Sequence, residues 1–166
     1  MKSYLKGTDL VLLGRGVIRL SKLTDYAVVM LSHMAARETE VYTTARLAQR
    51  SAVPEPTAAK ILKLLVRGSI LVSQRGSNGG YELARPAAEI TVAEIIVALD
   101  GPIALAACVE GSGDHCGVEQ LCSMRGNWNR VNRAIRDALE DITLADMAMP
   151  FMVAPVAQTQ LEQGLR

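Results

Sequence analysis

The sequence predicts a mainly α-helical fold carrying a small two-stranded wing. Three observations predict it. Aromatic residues make up 4% of the 166 residues against 49% apolar residues overall, and an all-β sandwich or barrel draws more heavily on aromatic and β-branched side chains. Apolar residues recur at helical spacing in segments bounded by Thr, Pro and Gly signals. A glycine-rich hexapeptide, Arg75-Gly76-Ser77-Asn78-Gly79-Gly80, separates two short strand-like runs and suits a hairpin tip that takes positive φ. The length corresponds to one ordinary domain with room for an appendage.

Residues 1–18 show no sustained period and contain Gly7, Gly14 and Gly16, which predicts a flexible extension over 1–17. Leu23, Ala27, Met30, Leu31 and Met34 share one helical stripe, so 21–37 reads as an amphipathic helix. Thr43 or Thr44 caps a second helix, Ala45–Arg50, with Leu47 and Ala48 inward. Val53-Pro54-Glu55-Pro56 is a stiff turn. Thr57 stands near the start of a third helix that ends at Gly68, a glycine suited to a C-terminal cap. Ala58, Ile61, Leu62 and Leu65 form its apolar face, and Lys60, Lys63 and Arg67 lie on the other side. Ile70–Gln74 and Tyr81–Leu83 are the two strands, and Pro86 ends the unit. Helix, helix, turn, basic helix, hairpin is the order of a winged helix-turn-helix. A DNA-binding domain over 18–86 follows.

Beyond it, Thr91-Val92-Ala93-Glu94 is a capping box that opens a short helix to Leu99, stopped by Asp100-Gly101-Pro102. Residues 103–123 form a glycine-rich loop holding all three cysteines. A long helix then runs from Ser123 to Glu140, with Trp128, Val131, Ile135 and Leu139 in a narrow stripe. Such a stripe suits either a seam with a second subunit or packing on its own domain. The loop and long helix together make a second unit over 87–148, and 149–166 reads as a disordered tail.

The formal net charge of +1 conceals a split. Residues 19–85 hold ten Lys and Arg against five acids, whereas 86–146 hold four Arg against ten acids. A basic half beside an acidic half suits a polyanion-binding module joined to a sensing or partner module. No apolar stretch approaches the roughly 18–20 residues of a membrane span. The run Leu10–Leu13 is too short for a signal-peptide core. These features predict a cytoplasmic chain with no membrane partner. Three is an odd number of cysteines, and a disulfide framework is excluded in that compartment.

Cys108, Cys116 and Cys122 are spaced C-x7-C-x5-C within fifteen residues, with Gly111, Gly113 and Gly117 between them. Glycines let backbone wrap closely around a compact group, and three thiolates supply most of a four-ligand shell for an iron–sulfur cluster or zinc. Zinc has His115 as a candidate fourth ligand, but zinc knuckles favour C-x2-C pairs and none is present. The same absence argues against a thioredoxin-like redox enzyme. With two histidines in the chain, no His/Asp/Ser constellation supports a hydrolase. No enzyme activity and no small-molecule substrate are expected.

Ile18-Arg19-Leu20-Ser21-Lys22-Leu23-Thr24-Asp25-Tyr26-Ala27, then Arg75-Gly-Ser-Asn-Gly-Gly-Tyr81, then the three loop cysteines, resemble the IscR/NsrR-type winged-helix regulators that sense iron–sulfur clusters. The match spans about 18–148. Within that family, Cys122-Ser-Met-Arg-Gly-Asn-Trp128-Asn-Arg-Val-Asn and Leu144-Ala-Asp-Met147 look most like regulators of the SUF iron–sulfur assembly operon. The resemblance implies a homodimeric repressor, with the long helix at the dimer interface and operator DNA as partner. It implies a 2Fe–2S or 4Fe–4S cluster on Cys108, Cys116 and Cys122. Where some members place a histidine three positions after the last cysteine, this chain has Arg125, which does not ligate. Asp25-Tyr26 matches the position from which the nitric-oxide-sensing branch donates a carboxylate across the dimer, making Asp25 a candidate fourth ligand beside its alternative as a helix-start carboxylate. The recognition helix implied is Thr57–Arg67, with Thr57 and Lys60 toward base edges, Lys63 and Arg67 toward phosphates, and Arg75 and Ser77 on the wing. Two departures stand out. Residues 1–16 precede the run where family members usually begin, and Ala58 and Ala59 occupy positions where some members carry polar base-reading residues. The rival readings are a zinc-stabilised or clusterless winged-helix regulator and an iron–sulfur redox protein, the last opposed by the basic winged-helix half.

Overall fold

A computed structural model of the chain describes residues 20–76, 79–113, 117 and 122–149. The expected extension over 1–17 and the expected tail after Met149 lie outside the described residues, as do Cys116 and Ser77. Six α-helices and two strands follow in the order α1 (Lys22–Ala35), α2 (Thr44–Ser51), α3 (Glu55–Arg67), β1 (Leu71–Gln74), β2 (Gly80–Leu83), a 3-10 turn (Ala87–Glu89), α4 (Val92–Asp100), α5 (Arg125–Glu140) and α6 (Leu144–Ala148). The mainly helical fold with a two-stranded wing is thus observed.

Capping chemistry sets most helix starts. The Ser21 hydroxyl accepts from the Thr24 amide, and Thr43 accepts from the Arg46 amide, each pairing an amide that the first turn leaves without a partner. Helix α3 starts at Glu55, two residues ahead of Thr57. Pro56 lies inside its first turn, where a missing N–H costs nothing; the prolines start this helix rather than delay it. Gly68 caps α3 as expected, its N–H donating to the Leu64 carbonyl at 2.9 Å. Its φ is −80°, and the left-handed residue is Ser69 at 58°. Glycine is needed at 68 because a Cβ there lies 2.5 Å from the Ala98 Cβ of α4. The end of α3 thus rests directly on α4.

The strands are antiparallel, from Leu71 opposite Leu83 to Gln74 opposite Gly80. Tyr42, before α2, joins the sheet through a bridge to Tyr81, its N–H donating at 2.9 Å and its carbonyl accepting at 2.8 Å. The wing is therefore sewn to the entrance of the helix-turn-helix.

One buried cluster unites Ala27, Met30, Leu31 and Met34 of α1 with Leu47 of α2 and Ala58, Ile61, Leu62 and Leu65 of α3. It continues past Pro86 through Ala87, Ile90, Ile95 and Leu144. Helix α6 is too short to announce itself by periodicity. Thr143 and Asp146 form its capping box, and the Leu144 amide donates to the Ile90 carbonyl at 2.7 Å. It lies against α1, so the chain returns from α5 to the DNA-binding half.

The expected capping box of α4 is present: the Thr91 hydroxyl accepts from the Glu94 amide at 3.2 Å, and the Glu94 carboxylate accepts from the Thr91 amide at 2.9 Å. Partial burial pushes the Glu94 carboxyl up, but the Thr91 amide and the Arg85 guanidinium outweigh it and hold its pKa below the ordinary value. Thr91→Ala is expected to lower unfolding free energy by about 1 kcal/mol in urea titration. A folded-state pKa below the unfolded one gives stability that is present above the unfolded value and lost as pH falls through the folded one. The Glu94→Gln deficit should therefore shrink on acidification below about pH 4. Its size is modest, because the Arg85–Glu94 pair is partly exposed and solvent-screened.

Candidate nucleic-acid interface and cysteine loop

Helix α3 is amphipathic by construction. Ala58, Ile61, Leu62 and Leu65 fix its inner face in the core, so Lys60, Lys63 and Arg67 project from the exposed side. None of the three forms an ion pair among the described residues, and their charge is free for a polyanion. Thr57 is half-buried in the first turn. Arg75 is exposed where β1 enters the tip. The fold thus puts Lys60, Lys63, Arg67 and Arg75 on the outer surface of the helix-turn-helix and wing.

A second basic group escaped the sequence reading. The guanidinium carbons of Arg46 and Arg50 lie 5.1 and 5.8 Å from the centroid of the Tyr42 ring, within cation–π range. Tyr42 is fully buried, and its hydroxyl donates to the His33 carbonyl at 3.3 Å. Burial raises its pKa, keeping it protonated. Arg46 also pairs with Glu40, whereas Arg50 is exposed and unpaired among the described residues. The four-residue spacing of the arginines is visible in the sequence; the aromatic platform comes from the Tyr42–Tyr81 bridge.

At the other end, α4 fastens α1. The Thr24 hydroxyl donates to Asp100 Oδ2 at 2.8 Å, and the Ser21 amide reaches the same oxygen at 3.3 Å. Thr24 is fully buried, yet hydrogen-bonded. Asp25, the next residue, is exposed on the first turn of α1. The loop bearing the cysteines leaves directly from Asp100. Cys108 and Cys122 are half-buried free thiols. The described residues contain no group of three or more His, Cys, Asp or Glu side chains able to hold a metal. Asp25, Cys108 and Cys122 therefore do not form one centre within a single chain.

The loop backbone is nevertheless held. Asn132 of α5 is buried at 4% exposure. Its Oδ1 accepts from the Leu105 amide and its Nδ2 donates to the Ile103 carbonyl, both at 3.0 Å. One turn earlier, Asn129 Oδ1 accepts from the Glu110 amide at 3.1 Å. Gly111 and Gly113 take φ of 83° and 73°, a region that L side chains resist. Free, half-buried thiols on a tethered glycine-rich loop suit a soft metal or an iron–sulfur cluster. Elsewhere on α5, Trp128 and Val131 are 43% and 44% exposed, and Ile135 and Leu139 are half-buried on a helix otherwise rich in polar residues. No helix among the described residues is long and apolar enough to cross a membrane.

A helix-turn-helix with unpaired lysines on its second helix, backed by a two-stranded wing, defines a winged-helix DNA-binding protein. The family signature Rrf2, described as an iron-dependent transcriptional regulator, matches residues 20–150, and the chain belongs to the Rrf2 family of transcriptional regulators. It is 28% identical over 131 residues to the HTH-type transcriptional regulator NsrR of Oceanobacillus iheyensis, spanning 78% of this chain and 89% of the relative. Among solved structures it resembles CymR (YrzC), the global cysteine regulator of B. subtilis, with a TM-score of 0.60 and 25% identity over 79% of this chain and 96% of that one. It also resembles T. potens IscR, with a TM-score of 0.57 and 27% identity over 78% and 85%. These relatives regulate transcription and are not enzymes.

Proposed function

We propose that this regulator is a homodimeric, iron–sulfur-sensing repressor of an iron–sulfur assembly (SUF) operon, acting on promoter DNA in the cytoplasm. The carrying observation is the set of three cysteines confined to one tethered loop, two of them half-buried free thiols. Cys108, Cys116 and Cys122 hold the cluster, 2Fe–2S or 4Fe–4S, and the partner subunit's Asp25 completes its shell. When bound, the cluster supplies a group sensitive to oxidants and iron supply. The exposed stripe of Trp128 and Val131 with half-buried Ile135 and Leu139 forms the dimer seam. Likeness to NsrR and IscR supports this reading. Likeness to CymR, named a cysteine regulator, supports a second one, a clusterless or zinc-stabilised regulator. Anaerobic purification with iron, sulfide and zinc analysis separates them. A brown dimer with equimolar iron and sulfide supports the first, and a colourless protein with neither overturns it.

On the operator, α3 occupies the major groove. Thr57 and Lys60 face base edges, Lys63 and Arg67 face phosphates, and Arg75 with Ser77 approaches the backbone or minor groove. Lys63→Ala is expected to weaken binding equally on operator and random DNA and to reduce the salt slope by about one unit. Arg75→Ala should show the same uniform loss if it holds phosphate, or cost about 1–3 kcal/mol at one base position if it reads an edge. Anisotropy titrations at several salt concentrations check both. An Arg75→Ala protein with unchanged affinity and slope removes the wing from the interface.

A further inference from the structure

Among the described residues, Asn132 is the one buried amide side chain that joins the cysteine loop to the long helix, and it does so with both of its polar ends. Accepting from Leu105 and donating to Ile103 satisfies two backbone groups of a segment that has no ladder of its own. Asn129, three residues earlier and on the same side of α5, fixes the Glu110 amide just beyond Cys108. Between the two anchors, the Val109 amide donates to Ala106 and the Ser112 hydroxyl donates to the Ala107 carbonyl at 2.7 Å. Val109 itself is buried. The Cys108 backbone is therefore clamped on both sides by side chains of α5, the helix that also carries the exposed Trp128 and Val131 stripe.

We propose that Asn132 and Asn129 are positioning residues. They hold the Cys108 segment in register with α5, so that the ligand thiol and the long helix move as one body. Neither is assigned as a ligand. Their effect is on how readily Cys108 withdraws, and hence on how long the loop retains its group. The proposal rests on the cluster reading above.

The test uses the full chain in four forms: wild type, Asn132→Leu, Asn129→Ala and Asn127→Ala. Leucine keeps the branched outline of Asn132, is somewhat larger, and deletes both hydrogen bonds. Asn129→Ala deletes one bond at a partly exposed site, and covers the case in which Asn132→Leu fails to fold. Asn127 is exposed and its amide reaches only Met124 Sδ, so Asn127→Ala is the control on the same helix. Two readouts are taken. Amide exchange over residues 103–112 is followed in protein stripped of metal, and loss of visible absorption to an iron chelator is followed under argon in protein reconstituted with iron and sulfide. Deleting the anchors is expected to speed both by roughly tenfold for Asn132→Leu and less for Asn129→Ala. The control should match wild type. Unchanged exchange in Asn132→Leu and Asn129→Ala overturns the clamp. Faster exchange with unchanged chelation overturns its role toward the thiols. A wild-type protein that takes up no iron overturns the cluster reading first, and this inference with it.

Discussion

Single replacement of Cys108, Cys116 or Cys122 by alanine is expected to leave the purified protein with little or no iron and sulfide, while its helical circular dichroism and dimeric mass remain. A cluster is held by about four protein ligands, chiefly thiolates, and the loop supplies three within fifteen residues. Losing one thiolate halts assembly, because two remain and the described residues hold no group of three or more His, Cys, Asp or Glu side chains that could take over. The fold survives for a separate reason. Cys108 and Cys122 are only half-buried, and neither belongs to the core cluster that joins α1, α3, α4 and α6. Truncating such side chains typically alters stability by less than about 1 kcal/mol. Full retention of iron in any one variant removes that cysteine from the ligand set; collapse of all three variants to unfolded chains shows the loop to be structural instead.

The second large effect concerns Asp25. Asp25→Ala is expected to keep the cysteines and a more labile cluster, yet to flatten the difference in operator affinity between metal-loaded and stripped protein. The structure gives a route for that difference. Asp25 follows Thr24, whose hydroxyl is fixed to Asp100 at the end of α4, and the cysteine loop starts there. Two turns into α1, Ala27 and Met30 share the buried cluster with Ala58 and Ile61 of α3. A tie at Asp25 across the dimer therefore acts on a helix packed against the recognition helix, and a small rotation of paired recognition helices changes how they fit two half-sites. Couplings of this kind are typically about 1–3 kcal/mol, or about 5–150-fold in affinity. Anaerobic anisotropy on both forms at one salt concentration measures it. An undiminished difference in Asp25→Ala rejects the ligand across the dimer and leaves the cysteine assignment standing.

Much of the DNA-binding half was legible because its signals are local. The stripe Leu23, Ala27, Met30, Leu31 and Met34 locates α1 to within two residues at its C-terminus, and Thr91 with Glu94 locates α4 to one. Misplacements occurred where a local rule has two meanings. Pro56 signals either a helix breaker or a first-turn residue, and only the path of α3 after Val53 selects the second. Gly68 correctly marks the end of α3, but the close packing that excludes a side chain there, 2.5 Å to Ala98 thirty positions away, is not local. Helix α6 has five residues, fewer than periodicity needs, and Leu144 becomes a core residue only once α1 is there to receive it.

By itself, then, the sequence determined the elements and the chemical inventory: an outward row of Lys60, Lys63 and Arg67, a glycine-rich wing, and three thiols in one loop. Those follow from residue spacing, since a helix or turn is satisfied by neighbours three and four positions away. The tertiary structure decided how the inventory is connected. Asp100 on Thr24, Asn132 on the Cys108 segment, and Arg46 and Arg50 on Tyr42 are unions of residues far apart or on different elements. Each polar group has many possible partners along the chain, and the choice is made by which backbone groups the core leaves buried and in need of a hydrogen bond.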